Sequence, residues 1–211
     1  METKDLICSI NNFEANIVFD KNRSYREFAN GQSPFFFTPV EKGERKRYEK
    51  SENKNEFTST TAAIHIMDSS VEEIEKLFKQ DDSGIYEYTC KMIRPYCKGV
   101  VDIKIGLVLF QFLHEVGHWN QFMSLDKNVA AYTTWNYEQE KNNYEKMRAL
   151  KDSVLQRQAR EKDNRLSAEE RMLFRQYTEE YRNIPKEKEA DEFEQYMLKK
   201  REETLARGEK W

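Results

Sequence analysis

Residues 102–123 read DIKIGLVLFQFLHEVGHWNQFM, and everything else in the chain is placed around them. The run from about Asp102 to Met123 is dense in Ile, Leu, Val and Phe on all sides. A helix apolar all round is a central one. Inside it stands His114-Glu115-Val116-Gly117-His118. Side chains at i and i+4 lie one above the other on a helix face, so both imidazoles can reach one metal ion. Glu115 then sits beside a water on that ion and can take its proton. Gly117 lets a neighbouring element come close.

The 211 residues suit one domain carrying a sizeable insertion. Thirteen Phe and eleven Tyr supply a core despite the high charged fraction. The net charge of −3 gives no pull towards nucleic acid or anionic membrane. Cys8, Cys90 and Cys97 are an odd set without CxxC spacing, which suggests neither disulfides nor a thiolate metal knuckle. No signal-peptide pattern opens the chain, and the longest apolar run, Ile105 to Phe110, is too short to cross a bilayer. The expectation is a soluble cytoplasmic protein.

Upstream, Leu6 to Ile10 and Ala15 to Phe19 read as paired strands, or as a short helix and one strand. A polar loop is expected over 31–58, with the basic run Lys42 to Lys50, and Phe35-Phe36-Phe37 within it reads as a short strand or a plug. Thr61 to Met67 reads as a strand able to bind an extended peptide at its edge. Ser70 with Glu73 forms a capping box for a helix over Val71 to Lys79, and residues 84–98 fit helix or strand.

Downstream, residues 136–183 read as an inserted antiparallel helical hairpin, broken at Lys162 to Arg165 and restarted by the Ser167-Ala168-Glu169-Glu170 cap. From Asn136 onward 18 basic and 18 acidic residues are interspersed, so no single-sign stripe offers itself to phosphate. A last helix runs from Pro185, a favoured first-turn residue, to about Ala206.

A catalytic zinc site usually takes three protein ligands. The chain has three histidines, and the third, His65, lies upstream on the expected strand, where it reads as a satisfied strand histidine. The third ligand is therefore expected to be a carboxylate from a later helix. On the face of the last helix defined by Ala190, Phe193 and Met197, spacing alone leaves Glu187, Glu189 and Glu194 open.

HEVGH followed by Glu187-Lys188-Glu189-Ala190-Asp191 resembles the glutamate-zincin metallopeptidases, most closely the ImmA/IrrE-type regulatory peptidases. The resemblance covers two helices. It implies a single α+β zincin-like domain over residues 1–211, with a small sheet, the central HEVGH helix, a C-terminal ligand helix and the inserted hairpin. It implies zinc held by His114, His118 and Glu187, with Asp191 steadying a zinc histidine and Glu115 as general base. The expected activity is hydrolysis of peptide bonds in an intracellular protein substrate, without nucleic-acid or membrane partners. Tyr177, Tyr181, Arg182 and His65 are the candidates for stabilising the oxyanion. The competing expectation is a non-catalytic module of the same shape that captures a protein partner through the hairpin.

Overall fold

The computed structural model describes residues 1–10, 13, 15–20, 33–39, 62–80, 84–97, 102–163, 165–209 and 211. Most of the 31–58 segment, including the basic run Lys42 to Lys50, lies outside the described residues. The architecture is α+β, mostly helical, with a small mixed sheet.

The chain opens with α1 (Thr3–Ile10), which buries Thr3, Leu6, Ile7 and Ile10. That spacing is a helix face, and it decides between the two readings of Leu6 to Ile10. Strands β1 (Ile17–Asp20), β2 (Phe35–Thr38) and β3 (Ala63–Met67) form one sheet in the order β1-β3-β2. β1 runs parallel to β3, and β2 antiparallel to it. All five residues of β3 are buried, so both of its faces are covered, and it is paired on both sides. This corrects the expectation that the Thr61 to Met67 strand offers a free edge. Among the described residues the sheet's two edges are β1 and β2, the latter the Phe35-Phe36-Phe37 strand. Met67 N–H bonds to the Pro34 carbonyl, so antiparallel alternation turns the backbone groups of Phe35 and Phe37 away from β3.

Helix α2 (Val71–Gln80) starts at the Ser70–Glu73 box: Ser70 N–H donates to Glu73 Oε2 at 2.9 Å, and Glu73 N–H to Ser70 Oγ at 3.2 Å. Of the 84–98 stretch, the described residues 84–97 hold α3 (Ile85–Ile93) and one 3-10 turn (Arg94–Tyr96). Helix α4 (Ile103–Ser124) is capped by Asp102, whose side chain accepts from Lys104 N–H. It buries nearly every residue from Gly106 to Trp119, packing on β2 and β3 and also against α7 (Pro185–Ala206). Each fully buried Leu, Val or Phe here is worth about 1.5–3 kcal/mol relative to exposure, so α4 anchors the core.

Between α4 and α7 stands the hairpin of α5 (Val129–Glu161) and α6 (Ala168–Arg182). It begins before residue 136, because Asn128 accepts from Ala131 N–H and starts the helix there. Lys162, in the left-handed region at φ 53°, ends α5. The arm buries little along α5 beyond Tyr132, Asn143, Leu150 and Val154. Polar links across it therefore matter: Asn143 Nδ2 donates to Tyr177 O at 2.9 Å, and Arg157 grips both oxygens of Glu170 at 2.7 and 2.8 Å. Ser167 N–H also donates to Glu170, closing the capping box.

Two outcomes test this packing. A Cβ at Gly117 would lie 2.8 Å from Ala190 Cα and 2.9 Å from Ala190 Cβ, too close for the helices to stay in place. Alanine gains up to about 1 kcal/mol of helix propensity, but overpacking against backbone costs about 1–3 kcal/mol. Gly117→Ala is therefore expected to lower the denaturation midpoint, and an unchanged midpoint would show that the helices can separate freely. The second concerns Glu170, whose carboxyl is pulled down to about 2 by the Arg157 hydrogen bond and then by the Ser167 backbone. A lowered carboxyl stabilises the fold above its ordinary range near 4.5, and that contribution disappears as pH falls through about 2. The stability gap between wild type and Glu170→Gln, read by circular dichroism melts, is expected to be constant at neutral pH and to close in acid.

Candidate metal centre

Helix α4 brings His114, Glu115 and His118 to one buried face, and α7 brings Glu187 and Asp191 to meet them. The two helices can close only because Gly117 sits against Ala190. Pro185 occupies the first turn of α7, so Glu187 lies close to its start.

His114 Nε2 and His118 Nε2 are 3.1 Å apart. Glu187 spans them, with Oε2 3.0 Å from His114 Nε2 and Oε1 3.5 Å from His118 Nε2. Bonds of 2.0–2.1 Å to a tetrahedral ion put neighbouring ligand atoms about 3.3 Å apart, so this triangle has the dimensions of one ion's coordination face. The outer nitrogens are held as well. Asp191 Oδ1 is 3.0 Å from His114 Nδ1, and Gln121 Oε1 is 2.9 Å from His118 Nδ1. Each acceptor fixes the Nδ1–H tautomer and leaves the Nε2 lone pair pointing inward.

The three carboxylates that spacing left open separate clearly. Glu187 is fully buried and faces both Nε2 atoms. Glu189 accepts from Gln121 Nε2 at an exposed position. Glu194 is fully buried, but it lies behind His114, 3.6 Å from Nδ1, on the side already taken by Asp191. His114, Asp191 and Glu194 thus form the back of the same centre.

Burial governs the charges here. It pushes His118 down to about 3, and it raises Glu115, where the Phe37 backbone N–H and His114 pull the other way. Burial and then Asp191 push Glu194 well above the carboxylate range. Glu187 would rise for the same reason, but the facing His118 and His114 hold it well below that range. Four buried carboxylates, Glu115, Glu187, Asp191 and Glu194, stand against two buried cations, Arg182 and Lys186. Glu115 and Glu194 are pushed towards their neutral forms, and a dication beside them would draw both back towards ionisation. Donor types and spacing fit a divalent ion.

Of the four oxyanion candidates, Arg182 and Tyr181 reach this cluster. Arg182 donates to Asp191 Oδ1 at 3.1 Å and Glu187 Oε2 at 3.4 Å. Tyr181 donates to Glu140 at 3.2 Å and borders Glu187, while Tyr177 gives its carbonyl to Asn143. His65 stays in the sheet, 3.3 Å from Asp20 and stacked on Phe36.

Two residues went unread in the sequence. Gln121 lies three positions after His118 on the same helix face, a spacing that could have found it; its Nε2 donates to the Lys186 carbonyl at 2.7 Å. Tyr132 packs against Phe37 and Phe122, and burial followed by the nearby Glu115 and Glu187 charges raises its phenol. No local signal marks it.

No family model, curated protein or solved structure matches the chain. Among the described residues no helix is long and apolar enough to cross a membrane.

A direct check of the electrostatics uses metal-free protein and nitrogen-labelled imidazole NMR. Because burial disfavours its imidazolium, His118 is expected to remain neutral from about pH 8 to about pH 5. A midpoint near its ordinary 6.5 would mean that water reaches the ring freely.

Proposed function

We propose that this chain is a zinc-dependent metallopeptidase with a zincin-like fold, similar to the ImmA/IrrE-type regulatory peptidases and acting on an intracellular protein substrate. The observation that carries the reading is the convergence of His114 Nε2, His118 Nε2 and Glu187 into one ligand triangle beside Glu115. Two imidazoles and a carboxylate suit zinc best among divalent ions that favour nitrogen and oxygen donors.

Zinc bound there supplies a Lewis acid that polarises a carbonyl and makes water acidic. The remaining work falls to the chain. Glu115, one position along α4 from His114, accepts the proton of the attacking water and returns it to the leaving amine. Its burial raises its basicity towards the range where a base at neutral pH works best. Asp191 and Gln121 hold the two imidazoles so that Nε2, and not Nδ1, faces the centre. An extended peptide laid along β2 would find the Phe35 and Phe37 carbonyls turned outward and would lie beside Glu115, to which the Phe37 N–H already donates.

A second reading, a non-catalytic module that captures a partner through the hairpin, draws on the outer face of α5. Tyr137, Tyr144 and Leu155 are more than half exposed there at helical spacing. The two readings part at Glu115. Wild type and Glu115→Gln are expected to carry near one zinc per chain by elemental mass spectrometry, and Glu187→Ala none. Cuts in a proteome-derived peptide library, read by mass spectrometry, are expected to fall at least about 100-fold in Glu115→Gln. Zinc-free wild type after reloading rules out the metal site, and wild-type cutting by Glu115→Gln rules out the mechanism.

A further inference from the structure

We propose that Arg182 is a positioning residue, a guanidinium delivered by the hairpin to brace Glu187 and Asp191 against His114, so that the root of the hairpin is part of the metal centre. Arg182 is the last residue of α6. The chain then turns through Asn183 and Ile184, held by Asn183 N–H to Glu179 O and Ile184 N–H to Tyr181 O, and enters α7 at Pro185. Five positions separate Arg182 from Glu187, and that tight turn carries the guanidinium back over the first two turns of α7.

One nitrogen does most of the bridging. Nη1 donates to Asp191 Oδ1 at 3.1 Å and Glu187 Oε2 at 3.4 Å, and it lies 3.2 and 3.0 Å from His114 Nδ1 and Nε2. Glu187 and Asp191 stand one helical turn apart and flank the same imidazole, one at each nitrogen. Without a cation between them, two buried carboxylates would repel each other across His114 and swing apart. The guanidinium is itself nearly buried, which is tolerable only because it is paired. Its carbon lies 5.4 Å from the centre of the Tyr88 ring, and Tyr88 donates its hydroxyl to Asp191 Oδ2 at 2.7 Å. Asp191 is thereby gripped from two sides, by Tyr88 at Oδ2 and by Arg182 at Oδ1.

The reading rests on the metal centre proposed above, and the sign of one measurement separates positioning from simple charge. Removing a cation next to a dication site favours metal binding on Coulomb grounds alone. Loss of a brace weakens it, typically about 10–100-fold for an outer-shell partner. Zinc affinity of Arg182→Met, measured by competition with a chromophoric chelator, is expected to fall by that factor. Lysine keeps the charge but reaches one bond less far and cannot lie flat on Tyr88. Arg182→Lys is therefore also expected to bind zinc more weakly, and it stands in if Arg182→Met does not fold. Wild-type or tighter affinity in Arg182→Met, or in Arg182→Lys in that case, overturns the proposal. Metal-free protein gives a second readout: the imidazole nitrogen signals of His114 are expected to shift in the variant while those of His65 stay put. Unmoved His114 signals overturn the proposal as well. If wild type binds no zinc, the metallopeptidase reading fails, and the imidazole signals alone decide the role of Arg182.

Discussion

The contact between Gly117 and Ala190 sets the distance on which the whole centre depends. Two helices whose facing residues carry ordinary side chains run about 8–10 Å apart. At that spacing a glutamate on one has to meet two histidines on the other. A missing Cβ on α4 opposite a single methyl on α7 brings the backbones together, and the side chains on either side of the contact converge. His114 and His118 flank Gly117, and Glu187 and Asp191 flank Ala190. The same short approach therefore aligns both Nε2 atoms with Glu187 and His114 Nδ1 with Asp191.

Closing the helices also removes water from a group of ionisable side chains, and that has a large electrostatic consequence. Burial is the leading influence on Glu115, His118, Glu187 and Glu194 alike, but the outcomes diverge. Glu187 faces two imidazoles and Lys186 and is held ionised; Glu194 faces Asp191 and is pushed towards its neutral form. The divergence follows from position on α7. Glu187 is on the turn that reaches the Nε2 atoms, whereas Glu194 is nearly two turns further on, behind His114. Neighbouring carboxylates thus acquire different characters from geometry alone.

Features encoded within a few residues were legible in the sequence. The HEVGH face, the caps at Ser70 and Ser167, and the start of α7 at Pro185 each depend on local spacing, and the structure has them at those positions. What depended on distant partners was not legible. Leu6 to Ile10 suits a strand by composition and a helix by spacing, and packing of its buried face decided for α1. The order β1-β3-β2 follows from pairing across many residues, so the place of β3 between two neighbours could not be read from Thr61 to Met67. Spacing on α7 did not separate Glu187 from Glu189 and Glu194, because the wheel describes one helix, and the choice is made by where the imidazoles of another helix point.

The hairpin explains how His118 and Glu187, 69 positions apart in sequence, can come together without a long loose connection. Closing a flexible loop costs entropy that grows slowly with length, but a long unstructured segment also leaves backbone polar groups without fixed partners. Two antiparallel helices satisfy those groups internally and return the chain near its departure point. Glu140, on the outgoing helix, pairs with Lys186 at the start of α7 and accepts from Tyr181 on the returning one, so the arm is fastened at its root. That fastening is what puts Tyr132, Arg182 and Lys186 around the ligand triangle. The two helices of the arm are joined by polar links along their length. The outer face of the arm carries Tyr137, Tyr144 and Leu155 into solvent.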